Sequence, residues 1–80
     1  VDFEWDVDKA ASNLTKHGVS FDEATSAFAD EYAQIIDDPD SSLEEQRAIL
    51  MGNSTRGRLL IVVYTLRSNT IRLISAQMQL

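Results

Sequence analysis

Three apolar, β-branched runs joined by loops of hairpin length fill the second half of the chain and constrain its fold more than any other feature. Arg47 to Gly52 and Arg58 to Arg67 flank Asn53-Ser54-Thr55-Arg56-Gly57, and Ser68-Asn69-Thr70 leads into Ile71 to Gln77. Loops this short join antiparallel neighbours, because a parallel crossover needs about a dozen residues or more. Ala33-Gln34-Ile35-Ile36 reads as a further strand, and Phe3-Glu4-Trp5 alternates apolar with acidic as a short first strand would.

Two helices lie between. Asp6 is placed to cap the first, in which Ala10, Leu14 and His17 fall on neighbouring faces and Gly18 marks a left-handed exit. Lys16 and His17 in the last turn suit the helix dipole. Ser20-Phe21-Asp22-Glu23 has the spacing of a capping box for the second, with Val19 and Ala24 as a hydrophobic staple. Phe21, Ala24 and Phe28 form its apolar stripe, and it is expected to end near Asp30. Asp37-Asp38-Pro39-Asp40-Ser41-Ser42 is turn chemistry, and Leu43 to Gln46 reads as one helical turn. The expected order is β-α-α-β-β-β: one α+β domain over residues 1–80, with two N-terminal helices packed on an antiparallel β-meander.

A chain of 80 residues has room for one core, and 44% apolar residues suffice to build it. The longest apolar run, Leu59 to Tyr64, is far short of the roughly 20 residues that span a bilayer. The acidic, aromatic start does not read as a signal peptide. With no cysteine and one histidine, disulfides and thiolate or His-rich metal sites are not expected. The expectation is a soluble cytoplasmic domain with no membrane partner.

Charge is divided unevenly. Residues 1–46 hold all 13 acids and two bases, a net −11, whereas residues 47–80 hold five arginines and no acid, a net +5. Pairing between the halves accounts for this, as does an anion-binding face in the second half. Helices on one side of the sheet leave the other open. Strand alternation places Arg47, Ile49 and Met51 on one face, and it separates Ile71, Leu73 and Ser75 from Arg72, Ile74 and Ala76. Arginines gathered on the open face would hold a phosphodiester by paired hydrogen bonds, with Tyr64 positioned to stack a base. The same arginines also read as ordinary solvated edge residues. Asp37, Asp38 and Asp40 lack the glycine and ligand spacing of a calcium loop and read as a solvated turn. His17 is either a general acid–base group or a helix-terminal packing residue. No phosphate-binding glycine motif or nucleophile elbow is present.

Taken together, Phe3-Glu4-Trp5-Asp6, Lys9, Asn13, Lys16-His17-Gly18-Val19-Ser20-Phe21 with Ala24, Asp38-Pro39-Asp40, Glu45-x-Arg47, Gly52, Arg56-Gly57-Arg58-Leu59-Leu60, Tyr64-Thr65, Arg67 and Ile71-Arg72-Leu73-Ile74-Ser75-Ala76 resemble the BrnT family of type II toxins over essentially the whole chain. The resemblance implies a RelE-like fold and a bacterial, translation-inhibiting endoribonuclease that needs no metal and no cofactor. It also implies a BrnA-type ribbon-helix-helix antitoxin as partner. In such a reaction the RNA 2′-hydroxyl attacks the phosphate, so the protein supplies a base, positive charge and an acid. On the matching positions, Arg47, Arg58 and Arg72 are expected to stabilise the phosphate, and His17 or Glu45 to move the proton. Lys9, Lys16, Tyr64 and Arg67 are expected to hold RNA. The family pattern has arginine where this chain has Gln77, and it leads into a terminal helix that these 80 residues are not expected to contain. A catalytically silent homologue that only binds antitoxin is the alternative. The last strand is expected to present an edge open to a second copy.

Overall fold

Asp6 starts the first helix as its sequence position predicts. In the computed structural model, which describes residues 1–40 and 45–80, its carboxylate accepts from the backbone N–H of Asp8 at 2.8 Å and of Lys9 at 3.2 Å. Helix α1 runs over Val7–His17, and Gly18 leaves it at φ 70° while donating its N–H to Leu14. Helix α2 covers Phe21–Ser26, capped by the Ser20 hydroxyl accepting from the Glu23 N–H at 3.0 Å, and passes into a 3-10 turn over Ala27–Ala29.

The strands are β1 (Asp2–Glu4), β2 (Gln34–Asp37), β3 (Arg47–Asn53), β4 (Leu59–Arg67) and β5 (Thr70–Met78). They form one sheet in the order β1-β5-β4-β3-β2. The α+β class and the hairpins are as expected, but two features differ. Four strands follow the helices, each on a run that reads as a strand in the sequence, although the expected order counts three. The sheet is mixed, because β1 pairs parallel with β5, Phe3 opposite Ile71 and Glu4 opposite Arg72. The path through both helices and three strands is long enough to return parallel, which a reading of local loops does not capture. The helical turn expected at Leu43 to Gln46 begins outside the described residues, and Glu45 and Gln46 belong to no helix.

Val19, Phe21, Ala24 and Ala27 pack on Leu50, Leu60, Val62, Leu73 and Ala76 to form the core on one face of the sheet. Gly52 is where the 3-10 turn meets β3: a Cβ there would stand 2.9 Å from the Ala27 carbonyl oxygen. Leu14, which shares helical spacing with Ala10 and His17, is 52% exposed, and the buried residue of α1 is Asn13.

Strict alternation also fails in β5. Val63 stands opposite Ser75 and Tyr64 opposite Leu73, so Ile74 is a bulged residue without a partner. Leu73 and Ala76 therefore both face the core, and Arg72 and Ser75 both face away from it. β5 is not an edge. β1 and β4 flank it as far as Arg72, and beyond that the Asn13 side chain bonds its backbone at Ala76. The edge strand opposite β1 is β2, whose residues are all exposed.

Candidate nucleic-acid interface

The face away from the helices carries a transverse row. Register pairs Arg47 with Thr65, Thr65 with Arg72, and Arg72 with Glu4, which places four side chains from four strands side by side. Thr65, 3% exposed, lies beneath the two arginines and donates its hydroxyl to the Gln46 carbonyl at 2.8 Å. At the β2 end of the row the buried Asp38 carboxylate is 3.4 Å from Arg47 Nε.

Around this row the structure gathers five of the expected residues. Lys9 from α1, Glu45 from the segment before β3, Arg47 from β3, Arg67 from β4 and Arg72 from β5 line a depression of about 260 Å³ beside Leu73 and Ile74. Every arginine in it meets a carboxylate of the same chain: Arg72 Nη1 donates to Glu4 Oε2 at 2.6 Å, Arg67 Nη2 to Glu45 Oε1 at 2.9 Å, and Arg47 faces Asp38. Lys9 has no ion pair among the described residues. Arg47 also donates from Nη2 to the Asp40 carbonyl at 3.4 Å. A guanidinium has five donors, so one carboxylate does not use all those of Arg67 and Arg72, and the remainder can turn to a phosphate. The arrangement can bind an anion and concentrate positive charge on it, with Glu45 among the cations as a group able to accept a proton.

The other expected residues lie elsewhere. Arg58 grips the buried Glu23: Nε donates to Oε2 at 2.8 Å, Nη2 makes a close contact with Oε1, and Nη2 also donates to the Gly18 carbonyl at 3.0 Å. The Ser54 hydroxyl adds a bond to Glu23 at 2.7 Å, so this network ties α2 to the β3–β4 hairpin. The Arg58 contacts, with Ser54 behind them, hold the Glu23 carboxyl at about 2, well below its ordinary range. Tyr64 is on the helix-covered face, 9% exposed, with its ring edge-on to Phe28 at 5.0 Å; burial raises its phenol pKa. Its alternation partners Leu60 and Val62 place it in the core, which overturns its expected place on the open face. His17 and Lys16 stand together at the C-terminal end of α1, outside the depression that holds Arg47, Arg67 and Arg72.

Sequence reasoning missed Glu4, Asp38 and Thr65. The match of Arg47 with Thr65 could have been found by aligning the two strands across their hairpin. Nothing local reveals Glu4, because it reaches Arg72 only through the parallel pairing.

Fold and site together describe a small α+β domain with a basic cluster on an uncovered sheet face, and that architecture has a solved counterpart. The chain superposes on the crystal structure of the Brucella abortus ribonuclease toxin, BrnT, with a TM-score of 0.76 at 18% identity, covering 100% of this chain and 99% of that one. Residues 5–79 match the family described as ribonuclease toxin, BrnT, of type II toxin-antitoxin systems, and the chain belongs to that family. Among curated proteins, none matches it by sequence. No helix among the described residues is long and apolar enough to cross a membrane.

Proposed function

We propose that this chain is a metal-independent endoribonuclease of a type II toxin–antitoxin system, acting in the cytoplasm to inhibit translation and neutralised by a BrnA-type ribbon-helix-helix antitoxin. The observation that carries the reading is the convergence of Lys9, Glu45, Arg47, Arg67 and Arg72 on one depression from α1, three strands and the segment before β3. Residues this far apart in sequence share only this location.

In this mechanism a phosphodiester enters the depression and takes over guanidinium donors of Arg47 and Arg72. Glu45 accepts the proton of the RNA 2′-hydroxyl as that oxygen attacks phosphorus; the P–O5′ bond breaks, a 2′,3′-cyclic phosphate forms, and the departing 5′-oxygen takes its proton from water. The arginines neutralise the charge that grows on the phosphate, an effect worth about 2.7–4 kcal/mol per well-placed donor in other enzymes. Arg67 and Lys9 hold the backbone on either side. Arg58 has a structural part in this reading, and Tyr64 a packing part. The exposed acids of the first half offer a basic arm of the antitoxin an opposite charge to follow. Gln77, where the family pattern has arginine, favours a second reading, a silent homologue that binds antitoxin without cutting RNA.

Incubation of the purified chain with bulk cellular RNA in excess EDTA, beside Arg72→Ala, decides between them. Cleavage by the wild type, slowed at least about 100-fold in the variant, supports the ribonuclease. Equal cleavage by both overturns the site, and intact RNA in both favours the silent homologue.

A further inference from the structure

The arginine depression is one end of a longer groove. A second depression, of about 180 Å³, is lined by Lys9, Ser12, Lys16, Ile74 and Ser75, and a third, of about 360 Å³, by Lys16, His17, Ile61, Gln77 and Met78 among others. The first two share Lys9 and Ile74, and the last two share Lys16 and His17, so the three adjoin in a row. The groove exists because β1 is only three residues long and ends beside Arg72. Beyond that point the flank of β5 is left to α1. Asn13 fixes the distance between helix and strand through its bonds to Ala76, and the bulge at Ile74 turns Ser75 toward the groove.

Its chemistry is unlike the rest of the molecule. The chain carries 13 acids and a net charge of −6, yet among the described residues no acidic side chain lines the second or third depression. Lys9 and Lys16, seven positions apart on α1, put two positive charges about 10 Å apart along it. Ser12, Ser75 and Gln77 add neutral hydrogen-bonding groups. From Arg72 to Gln77 the strand advances roughly 16 Å, the length of about five stacked nucleotides at 3.4 Å each.

We propose that the α1–β5 groove is the track along which single-stranded RNA runs away from the arginine site, with Lys9 and Lys16 on phosphates about three nucleotides apart. The proposal rests on the ribonuclease reading and adds to it a substrate length and a path. An RNA that reaches Lys16 binds more tightly than one confined to the arginine depression. An acidic peptide fits the lysines less well, because the Ser12, Ser75 and Gln77 groups suit the hydroxyls and base edges of RNA as well as its phosphates.

The test measures binding of 2′-O-methyl oligoribonucleotides of three and eight residues, which lack the attacking hydroxyl, to the wild type, Ser12→Glu and Lys16→Ala. The expected result is an eight-residue RNA bound at least tenfold more tightly than the three-residue one by the wild type. Ser12→Glu, at an exposed helix position, reduces that advantage to below threefold. Lys16→Ala lowers the slope of log affinity against log salt for the longer RNA by about 0.7, the loss of one phosphate contact from a single strand. A length advantage absent from the wild type, or undiminished in both variants, overturns the track and leaves the arginine site standing. Displacement of the long RNA by polyglutamate at equal charge concentration also overturns it, in favour of an acidic peptide. Failure of the wild type to bind either RNA overturns the ribonuclease reading and the track together.

Discussion

The Asn13 side chain stands where the next strand would be. Its Oδ1 accepts from the Ala76 N–H at 3.1 Å and its Nδ2 donates to the Ala76 carbonyl at 2.8 Å, so one amide completes a peptide-like pair on the flank of β5 that β1 does not reach. The same Nδ2 donates to the Val19 carbonyl at 3.0 Å. One buried polar residue thereby caps the flank of β5 at Ala76, positions α1 and holds the chain at its turn into α2.

Asn13→Ala is expected to destabilise the protein by about 2–4 kcal/mol, because it removes the partner of several buried backbone groups at once. Urea unfolding checks this as a lower midpoint with an unchanged slope. A shift equivalent to less than about 1 kcal/mol would show that water replaces the amide.

Asn13 also shows what a sequence conceals. Helix boundaries and hairpins were legible because local chemistry fixes them: Asp6 and Ser20 accept from first-turn amides, Gly18 takes a positive φ, and short loops allow only antiparallel neighbours. The parallel β1 and the bulge at Ile74 were not, since both depend on which distant segment lies alongside. The same division runs through the site. Arg47, Arg67, Arg72, Lys9 and Glu45 were named from the resemblance and meet in one place, whereas Tyr64 was misplaced because its face depends on the pairing of β4. Glu23 was half legible: Ser20 accepts its N–H as a capping box requires, but its carboxylate goes to Arg58 and Ser54 instead.

That choice of partners makes Glu23 a source of acid sensitivity. Its pKa falls from an ordinary 4.5 to about 2 on folding. Above pH 4.5 the carboxylate is ionised in both states and its stabilisation is complete. Between pH 4.5 and about 2 the unfolded chain takes up a proton that the folded one refuses, so stability drops as pH drops. Asp6 and Asp30, lowered by backbone N–H groups, act in the same direction. Glu23→Gln is expected to be less stable at pH 7 by about 1–3 kcal/mol, and its stability should change less steeply on acidification. Urea midpoints measured from pH 7 to pH 2.5 test both points, and parallel curves for the two proteins would refute the assignment.

The carboxylate of Glu4 bears on function. It holds Arg72 at 2.6 Å, with both side chains partly exposed, at 42% and 31%. Such a pair contributes little to stability, typically about 0–1 kcal/mol. Its effect on an incoming phosphate is larger in proportion. A carboxylate roughly 6 Å from a phosphate in a water-like medium opposes it by about 0.7 kcal/mol, or about threefold in affinity. Glu4→Gln is therefore expected to leave the urea midpoint nearly unchanged and to tighten binding of a 2′-O-methyl oligoribonucleotide about threefold at low salt. The gain should shrink as ionic strength rises past the point where the Debye length falls below about 8 Å. Were Glu4 needed to aim Arg72 instead of competing for it, the same substitution would weaken binding at every salt concentration, so the sign of the change separates competition from positioning.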